Sequence, residues 1–383
     1  MNSRQTTAKV RSTLESAHPT LIELSHRIHA NPEIGYEETL ASGWLADELQ
    51  AAGFDVQRGV YGMPTAFVGS IGAGPLHVAI CAEYDALPMV GHACGHNVIG
   101  TASLGAALAL APVVDALDLR LSVLGTPAEE GGGGKIAFVE GGFFDAVHAA
   151  MMVHPWPGPH DKALPPIIAV RQLDITYRGR EAHASAYPHL AINAADAMVV
   201  AQTAIALLRQ QLLPTDQVHG IVTKGGDAPN IIPAVTTAEF MVRAPTRERM
   251  AEVIALVRRC FEAGALATGA ELELVEHVAY DDMRHDIELA AMYRRNAESI
   301  GRTFDESKGI PYSTDMGNVS HVVPAIHPDI GIEAGGAVNH QAGFAAACVM
   351  PSADQAIFDA ALSMALTVIE VAGDEAVRAR LLR

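Results

Sequence analysis

Residues 83–97 read EYDALPMVGHACGHN and bring Glu83, Asp85, His92, Cys94 and His96 into one short stretch. A thiolate and an imidazole two residues apart, Cys94 and His96, can reach one ion from a single loop. That pairing suits Zn²⁺ or a similar divalent metal. Further along, Glu129 and Glu130 stand side by side and are followed by four glycines, 131–134. Adjacent side chains of an extended segment point to opposite sides, so one carboxylate can bind a metal while the other acts as a base on water. His154 closes the apolar run Met151-Met152-Val153, and His340 sits in the glycine-bounded loop GGAVNHQ. Taken singly, each of these reads as readily as a structural or solvated residue, since the chain has 17 histidines. A phosphate-binding glycine loop fits less well: no Lys-Ser/Thr pair follows the glycines, and the two acids would repel phosphate.

These residues fall at the ends of apolar runs. Residues 76–81 and 119–124 read as buried strands, and strand ends are where sites collect in open α/β sheets. Residues 6–29 are expected to be helical with a break or restart at Pro19, and 37–52 helical up to Gly53. Strands over 66–71, 76–81, 119–125 and 149–154 alternate with helices over 98–111 and 134–140. This pattern implies a mostly parallel sheet covered by helices. From 168 to 277 the order becomes strand, helix, two strands, helix, strand, that of a ferredoxin-like sandwich. The expected organisation is an α/β catalytic domain formed by 1–166 and 281–383, interrupted by an inserted α+β domain at 167–280.

Composition narrows the function. With 383 residues, 49% of them hydrophobic, the chain can build two sizeable cores. Its formal charge of −18 argues against nucleic acid and anionic membrane surfaces as partners. The four cysteines, Cys81, Cys94, Cys260 and Cys348, show no paired spacing. The N-terminal stretch lacks an apolar signal region, and the apolar run 98–114 reads as a buried helix. A cytoplasmic protein is expected.

The motifs resemble, in order and over nearly the whole chain, the zinc-dependent aminoacylase and carboxypeptidase family of metallo-amidohydrolases. They are HANPEIGYEE from His29, DALP from Asp85, HACGHN from His92, PAEEGGGG from Pro127, VHPWP from Val153, GREAHAS from Gly179, PNIIP from Pro229, VRAP from Val242, STDMGN from Ser313 and NHQ from Asn339. The resemblance is to the N-acyl-amino-acid and aminobenzoyl-glutamate hydrolase branch, and within it to the β-alanyl-lysine dipeptidase sub-branch. It implies a site for two divalent ions held by Cys94, His96, Glu130, His154 and His340. Zinc is favoured by the thiolate, with manganese or cobalt as alternatives. It further implies Glu129 as general base and acid, and Asp85 as the residue behind the site that orients a ligand. His183 on the inserted lid domain would reach a neighbouring active site and polarise the scissile carbonyl, and Asn230 and Arg243 would hold the substrate carboxylate. The implied substrate is an N-acyl amino acid or dipeptide, and the implied assembly a homodimer through the lid domain. The chain departs from the family pattern at Glu83, Asn97 and Ile99. Two other readings of the residues are a thiol hydrolase using Cys94 and His96, and a non-catalytic, metal-stabilised carboxylate-binding protein. The first lacks an orienting acid, and the second leaves the full ligand set unexplained.

Overall fold

The structure, a computed structural model, describes residues 3–383; Met1 and Asn2, where the N-terminal stretch begins, lie outside the described residues. It divides into two compact units. One runs to Pro166 and resumes at Met283, and the other is Ile167–Asp282.

The first unit opens with α1 (Ser3–Ala30) and α2 (Thr39–Ala51), then β1 (Asp55–Arg58), β2 (Phe67–Ile71) and β3 (Leu76–Ala82). There follow α3 (His96–Leu110), β4 (Leu119–Gly125), α4 (Gly134–Glu140), β5 (Ala149–Met151) and β6 (His154–Pro157). The expected break at Pro19 is absent, because α1 continues through it. Pro19 and Glu15, whose carbonyl loses its partner there, are exposed on the water side, where solvent replaces the missing hydrogen bond. The second unit comprises β7 (Ala169–Arg178), α5 (Ala194–Leu208), β8 (Gln217–Lys224), β9 (Val235–Ala244), α6 (Arg247–Thr268) and β10 (Glu271–Tyr280). Its sheet order is β10-β7-β9-β8, antiparallel throughout, which is the ferredoxin-like arrangement. Asn193 and Thr246 cap α5 and α6 by accepting the backbone N–H groups of Ala195 and Arg249. The first unit then resumes with α7 (Ile287–Ser299), α8 (Met316–Ser320), β11 (Ala325–Ile326), β12 (Asp329–Ile332), α9 (Ala342–Ala347), α10 (Pro351–Gly373) and α11 (Glu375–Leu381).

The main sheet runs β1-β2-β4-β3-β5-β11. The pairings of β3 with β4 and β5, and of β5 with β11, are parallel, while β1 and β2 form an antiparallel edge. Every residue of β3 is buried, as a strand covered on both faces requires. The strand expected over 149–154 is two: β5 stays in the main sheet, and His154 begins β6, which pairs in parallel with β12. Helices α3 and α10 are apolar enough to cross a membrane by length and composition, yet 83% and 78% of those stretches are buried inside the molecule. They pack closely because small residues line the contact. A Cβ on Gly105 of α3 would lie 2.8 Å from Leu21 Cδ1 and 3.0 Å from Ala361 Cβ. Gly105→Val is therefore expected to overpack this contact and lower stability by roughly 1–3 kcal/mol, measured by urea denaturation; an unchanged midpoint would mean the helices have room to separate.

Candidate metal centre and active site

The parallel strands end on one side of the first unit, and the chemistry gathers there. Leaving β3, the chain places Glu83 and Asp85, both buried. The loop then turns through Gly95, at φ 80°, into α3. A Cβ at Gly95 would sit 2.4 Å from Pro155 Cγ, so only glycine lets this loop lie against the one that carries His154. Cys94 and His96 flank it. His96 Nδ1–H donates to Asp85 Oδ1 at 2.9 Å, and the Glu130 N–H donates to Asp85 Oδ2 at 3.0 Å. One carboxylate thus turns the His96 ring so that Nε2 faces the cavity, and ties the Glu130 loop to it. His154 is held likewise: its Nδ1–H donates to the Pro155 carbonyl at 2.8 Å, and Nε2 lies 3.5 Å from Cys94 Sγ.

Glu129 and Glu130 correct the expectation of opposite-facing side chains. They lie in a turn, not an extended segment, closed by the Gly132 and Gly133 N–H groups donating to the Ala128 carbonyl at 2.8 Å each. Both carboxylates therefore face His96 Nε2, from which Glu129 Oε2 is 3.9 Å and Glu130 Oε1 4.0 Å away. Ala128 adopts φ 58°, held by its N–H donating to the buried Glu38 at 2.8 Å. His340 adopts φ 67°, held by its N–H donating to the Ala93 carbonyl at 2.8 Å, and its Nε2 reaches to 3.5 Å from Glu130 Oε1. Non-glycine residues seldom take such backbone angles unless their surroundings fix them.

Three sets of side chains bring donor atoms within 4.8 Å of one another: Cys94, His96 and His154; Cys94, Glu130 and His340; and Glu83, His96 and Glu129. Among the described residues, the buried atoms Glu83 Oε2, His96 Nε2 and Glu130 Oε1 have no hydrogen-bond partner. Buried carboxylate oxygens and a ring nitrogen left so, around a thiol, fit divalent cations, which satisfy them together. His92 belongs to none of these sets. It packs 6.0 Å from the His29 ring, and burial holds its proton affinity down at about 3.

The electrostatics divide the two glutamates. Burial, reinforced by the Glu83 and Glu130 charges, raises the Glu129 pKa well above the carboxylate range. Burial also pushes on Glu130, but the His340 ring that reaches its carboxylate and the nearby His96 outweigh it and hold Glu130 below its usual value. Burial drives His154 down to about 4, leaving a neutral imidazole.

Lys135, Asp315 and the partnering of Glu83 escaped the sequence reading. Lys135 is fully buried at the start of α4. Its Nζ donates to Glu83 Oε1 at 2.5 Å and to Asp315 Oδ1 at 2.7 Å, and its backbone N–H donates to Asp315 Oδ2 at 2.9 Å. The available signal was a single lysine in the otherwise apolar helix start GKIAF. The remaining residues expected from the sequence to serve the site lie in the second unit. The Ala184 N–H donates to the Asn230 carbonyl at 3.0 Å, and His183 bridges Ile231. The Ser185 and Ala186 N–H groups donate to His183 Nδ1 at 3.3 Å, so its ring proton sits on Nε2. Arg243 is half-buried on β9, opposite Val170 and Gln217. Replacing Lys135 with Met strands two buried carboxylates and is expected to cost roughly 3–5 kcal/mol in urea denaturation. Adding Glu83→Gln and Asp315→Asn should restore part of that loss, and a Lys135→Met chain as stable as the original would refute the ion-pair role.

Comparison with known proteins agrees with this geometry. Residues 170–268 match the Peptidase dimerisation domain of the M20 peptidases. The chain is 38% identical over 381 residues to the Xaa-Arg dipeptidase of Mus musculus, covering 94% of this chain and 87% of that protein. It is 32% identical to one of the subunits of the p-aminobenzoyl-glutamate hydrolase of Escherichia coli, over 68% of this chain and 58% of that one. The fold matches a dinuclear metal binding peptidase of the M20 family from Bacillus subtilis, with a TM-score of 0.73 at 19% identity over 93% of this chain and 99% of that structure. A dimerisation-type second unit and similarity to a dipeptidase over 94% of this chain place it in the M20 family of metallopeptidases and amidohydrolases.

Proposed function

We propose that the chain hydrolyses the amide bond of an N-acyl amino acid or dipeptide bearing a free carboxylate, with Glu129 moving the proton. The observation that carries this is geometric: the adjacent carboxylates of Glu129 and Glu130 both face His96 Nε2, at 3.9 and 4.0 Å. Glu130 shares its surroundings with Cys94 and His340, and Glu129 with Glu83 and His96. Two adjacent carboxylates with different neighbours can divide proton transfer from metal binding. Cys94, His96, Glu130, His154 and His340 would hold two divalent ions, with zinc favoured by the thiolate. When bound, these supply Lewis acidity that makes water acidic near neutral pH.

The chain's own residues do the rest. Asp85 holds His96 and the Glu130 backbone in place. Glu129, buried beside them, takes a proton from the attacking water and delivers it to the leaving amine, which has to leave protonated. In the second unit, His183 offers Nε2–H to a carbonyl oxygen, while Arg243 and Asn230 supply the donors a substrate carboxylate needs. The family match supports these assignments, as it supports a homodimer formed through the second unit. The names of the relatives support the substrate class: one acts on Xaa-Arg dipeptides, another on p-aminobenzoyl-glutamate.

The test combines elemental analysis with hydrolysis of N-acyl amino acids and dipeptides before and after chelation. About two metals per chain and chelator-sensitive release of free amine are expected. Glu129→Gln should retain the metals and lose roughly 10²–10⁴ in kcat. Full activity in that variant would remove Glu129 from the mechanism. Metal-free protein with undiminished activity that is lost on thiol alkylation would favour Cys94 as nucleophile.

A further inference from the structure

Glu83 stands among the site residues without a place in the five-ligand set. It follows β3, fully buried, at a position where the sequence departs from the family pattern. Its two oxygens have different surroundings. Oε1 accepts from Lys135 Nζ at 2.5 Å. Oε2 has no hydrogen-bond partner, and neither has His96 Nε2, the atom it faces at 3.5 Å. Both side chains are wholly shielded from water, so solvent does not satisfy them. The gap is too long for a hydrogen bond, which brings N and O to about 2.7–3.2 Å. It is the spacing of two donors on one ion: at bond lengths of about 2.0–2.2 Å, neighbouring corners of a tetrahedron lie about 3.4 Å apart. The same separation of 3.5 Å recurs between Cys94 Sγ and His154 Nε2, and between His340 Nε2 and Glu130 Oε1.

The donor inventory points the same way. The sets Cys94–His96–His154 and Cys94–Glu130–His340 offer three atoms each, and a zinc-like ion takes four. Glu83 groups with His96, and its charge also acts on His154, which puts the fourth donor in the first set. The second set, without such a donor, keeps a position for water. Glu129 also groups with His96. It stands farther off, at 3.9 Å, and the proton transfer assigned to it needs its carboxylate uncoordinated. Lys135 sets how Glu83 is presented. Its Nζ is anchored by Asp315 Oδ1 at 2.7 Å and its backbone N–H by Asp315 Oδ2 at 2.9 Å. It therefore grips Oε1 from a fixed place and leaves a single oxygen turned towards His96.

We propose that Glu83 is a further metal ligand, its Oε2 joining Cys94, His96 and His154 around one ion, and that Lys135 restricts it to that one oxygen. The inference rests on the reading above that two ions bind here. The experiment titrates chelator-stripped protein with Zn²⁺ and with Co²⁺, read by calorimetry and, for Co²⁺, by the thiolate-to-metal absorption of Cys94. The original chain should take up about two ions. Glu83→Gln, which keeps the shape of the side chain, should bind one ion as before and the other roughly 10²-fold more weakly, since even residues that only orient a ligand are worth about 10–100-fold. The thiolate absorption should persist. Asp315→Asn disturbs the same lysine without touching the ligand and should leave both affinities near those of the original. If Glu83→Gln does not fold, Lys135→Met/Glu83→Gln/Asp315→Asn, which leaves no charge of the cluster unmatched, carries the same test against Lys135→Met/Asp315→Asn, which keeps Glu83. Unchanged or tighter binding without the Glu83 charge would mean that Glu83 only pairs with the His96 ring, and the assignment is overturned. It is overturned equally if Asp315→Asn weakens binding as much as Glu83→Gln, since the effect then belongs to the ion-pair cluster. An original chain that takes up no ion would instead refute the two-ion reading, and the inference with it.

Discussion

Five carboxylates, those of Glu83, Asp85, Glu129, Glu130 and Asp315, crowd the ends of the parallel strands, and one lysine reaches into the same space. Two like charges 4 Å apart repel by about 4 kcal/mol at the effective dielectric of a protein surface, and by more inside. Such a cluster persists only if cations offset it. Lys135 offsets Glu83 and Asp315 directly, and the His96 ring engages Asp85. Burial pushes the Asp315 proton affinity up even so, and the neighbouring Glu83 charge adds to it. The charge left over, on Glu130 and the second oxygen of Glu83, faces the imidazole nitrogen that Asp85 has turned towards the cavity. The donor atoms here are spaced to accept a divalent ion.

The backbone answers to the same constraint. Side chains from β3, from the loop after β4, from β6 and from the loop after β12 must converge on a region a few ångströms wide. Regular structure cannot do this alone, so the chain adopts left-handed geometry at Gly95, Ala128 and His340. Each is held by a bond from outside its own turn or by close contact. Ala128 is held by Glu38, which is itself buried and bonded by Thr65 at 2.9 Å. His340 is held by the Ala93 carbonyl. These bonds reach from one site loop to another or back to the helical layer, so that shifting one loop shifts the next.

The sequence made some of this legible. Hydrophobic runs of strand length located β3 and β4, and the β-α-β-β-α-β order located the second unit, because period and element order are local properties. Short motifs of chemically distinctive residues singled out Cys94, His96, Glu129, Glu130, His154 and His340, whose donor atoms the fold brings near one another. What stayed hidden depended on distance through space. Lys135 is an ordinary residue until Asp315, 180 positions later, meets it at both its amine and its backbone. The orientation of the Glu129–Glu130 pair followed from a turn that glycines 131–134 permit but do not specify. Pro19 inside α1 misled because a proline facing water costs a helix little. The short strand β6 was lost by running it into β5, since an apolar run does not record a change of sheet.

A metal centre of this kind is indifferent to what lies beyond the bond it cleaves. Polarising a carbonyl and moving a proton through Glu129 would serve any amide that reached it, so discrimination has to come from contacts made away from the reacting atoms. An apolar cavity by itself discriminates weakly: a methylene more or less is worth only about 1–3 kcal/mol. The chain's overall charge of −18 acts earlier still, since an acidic molecule draws cationic ligands towards its surface before any contact forms. Selection therefore falls to side chains outside the set that would carry out the reaction.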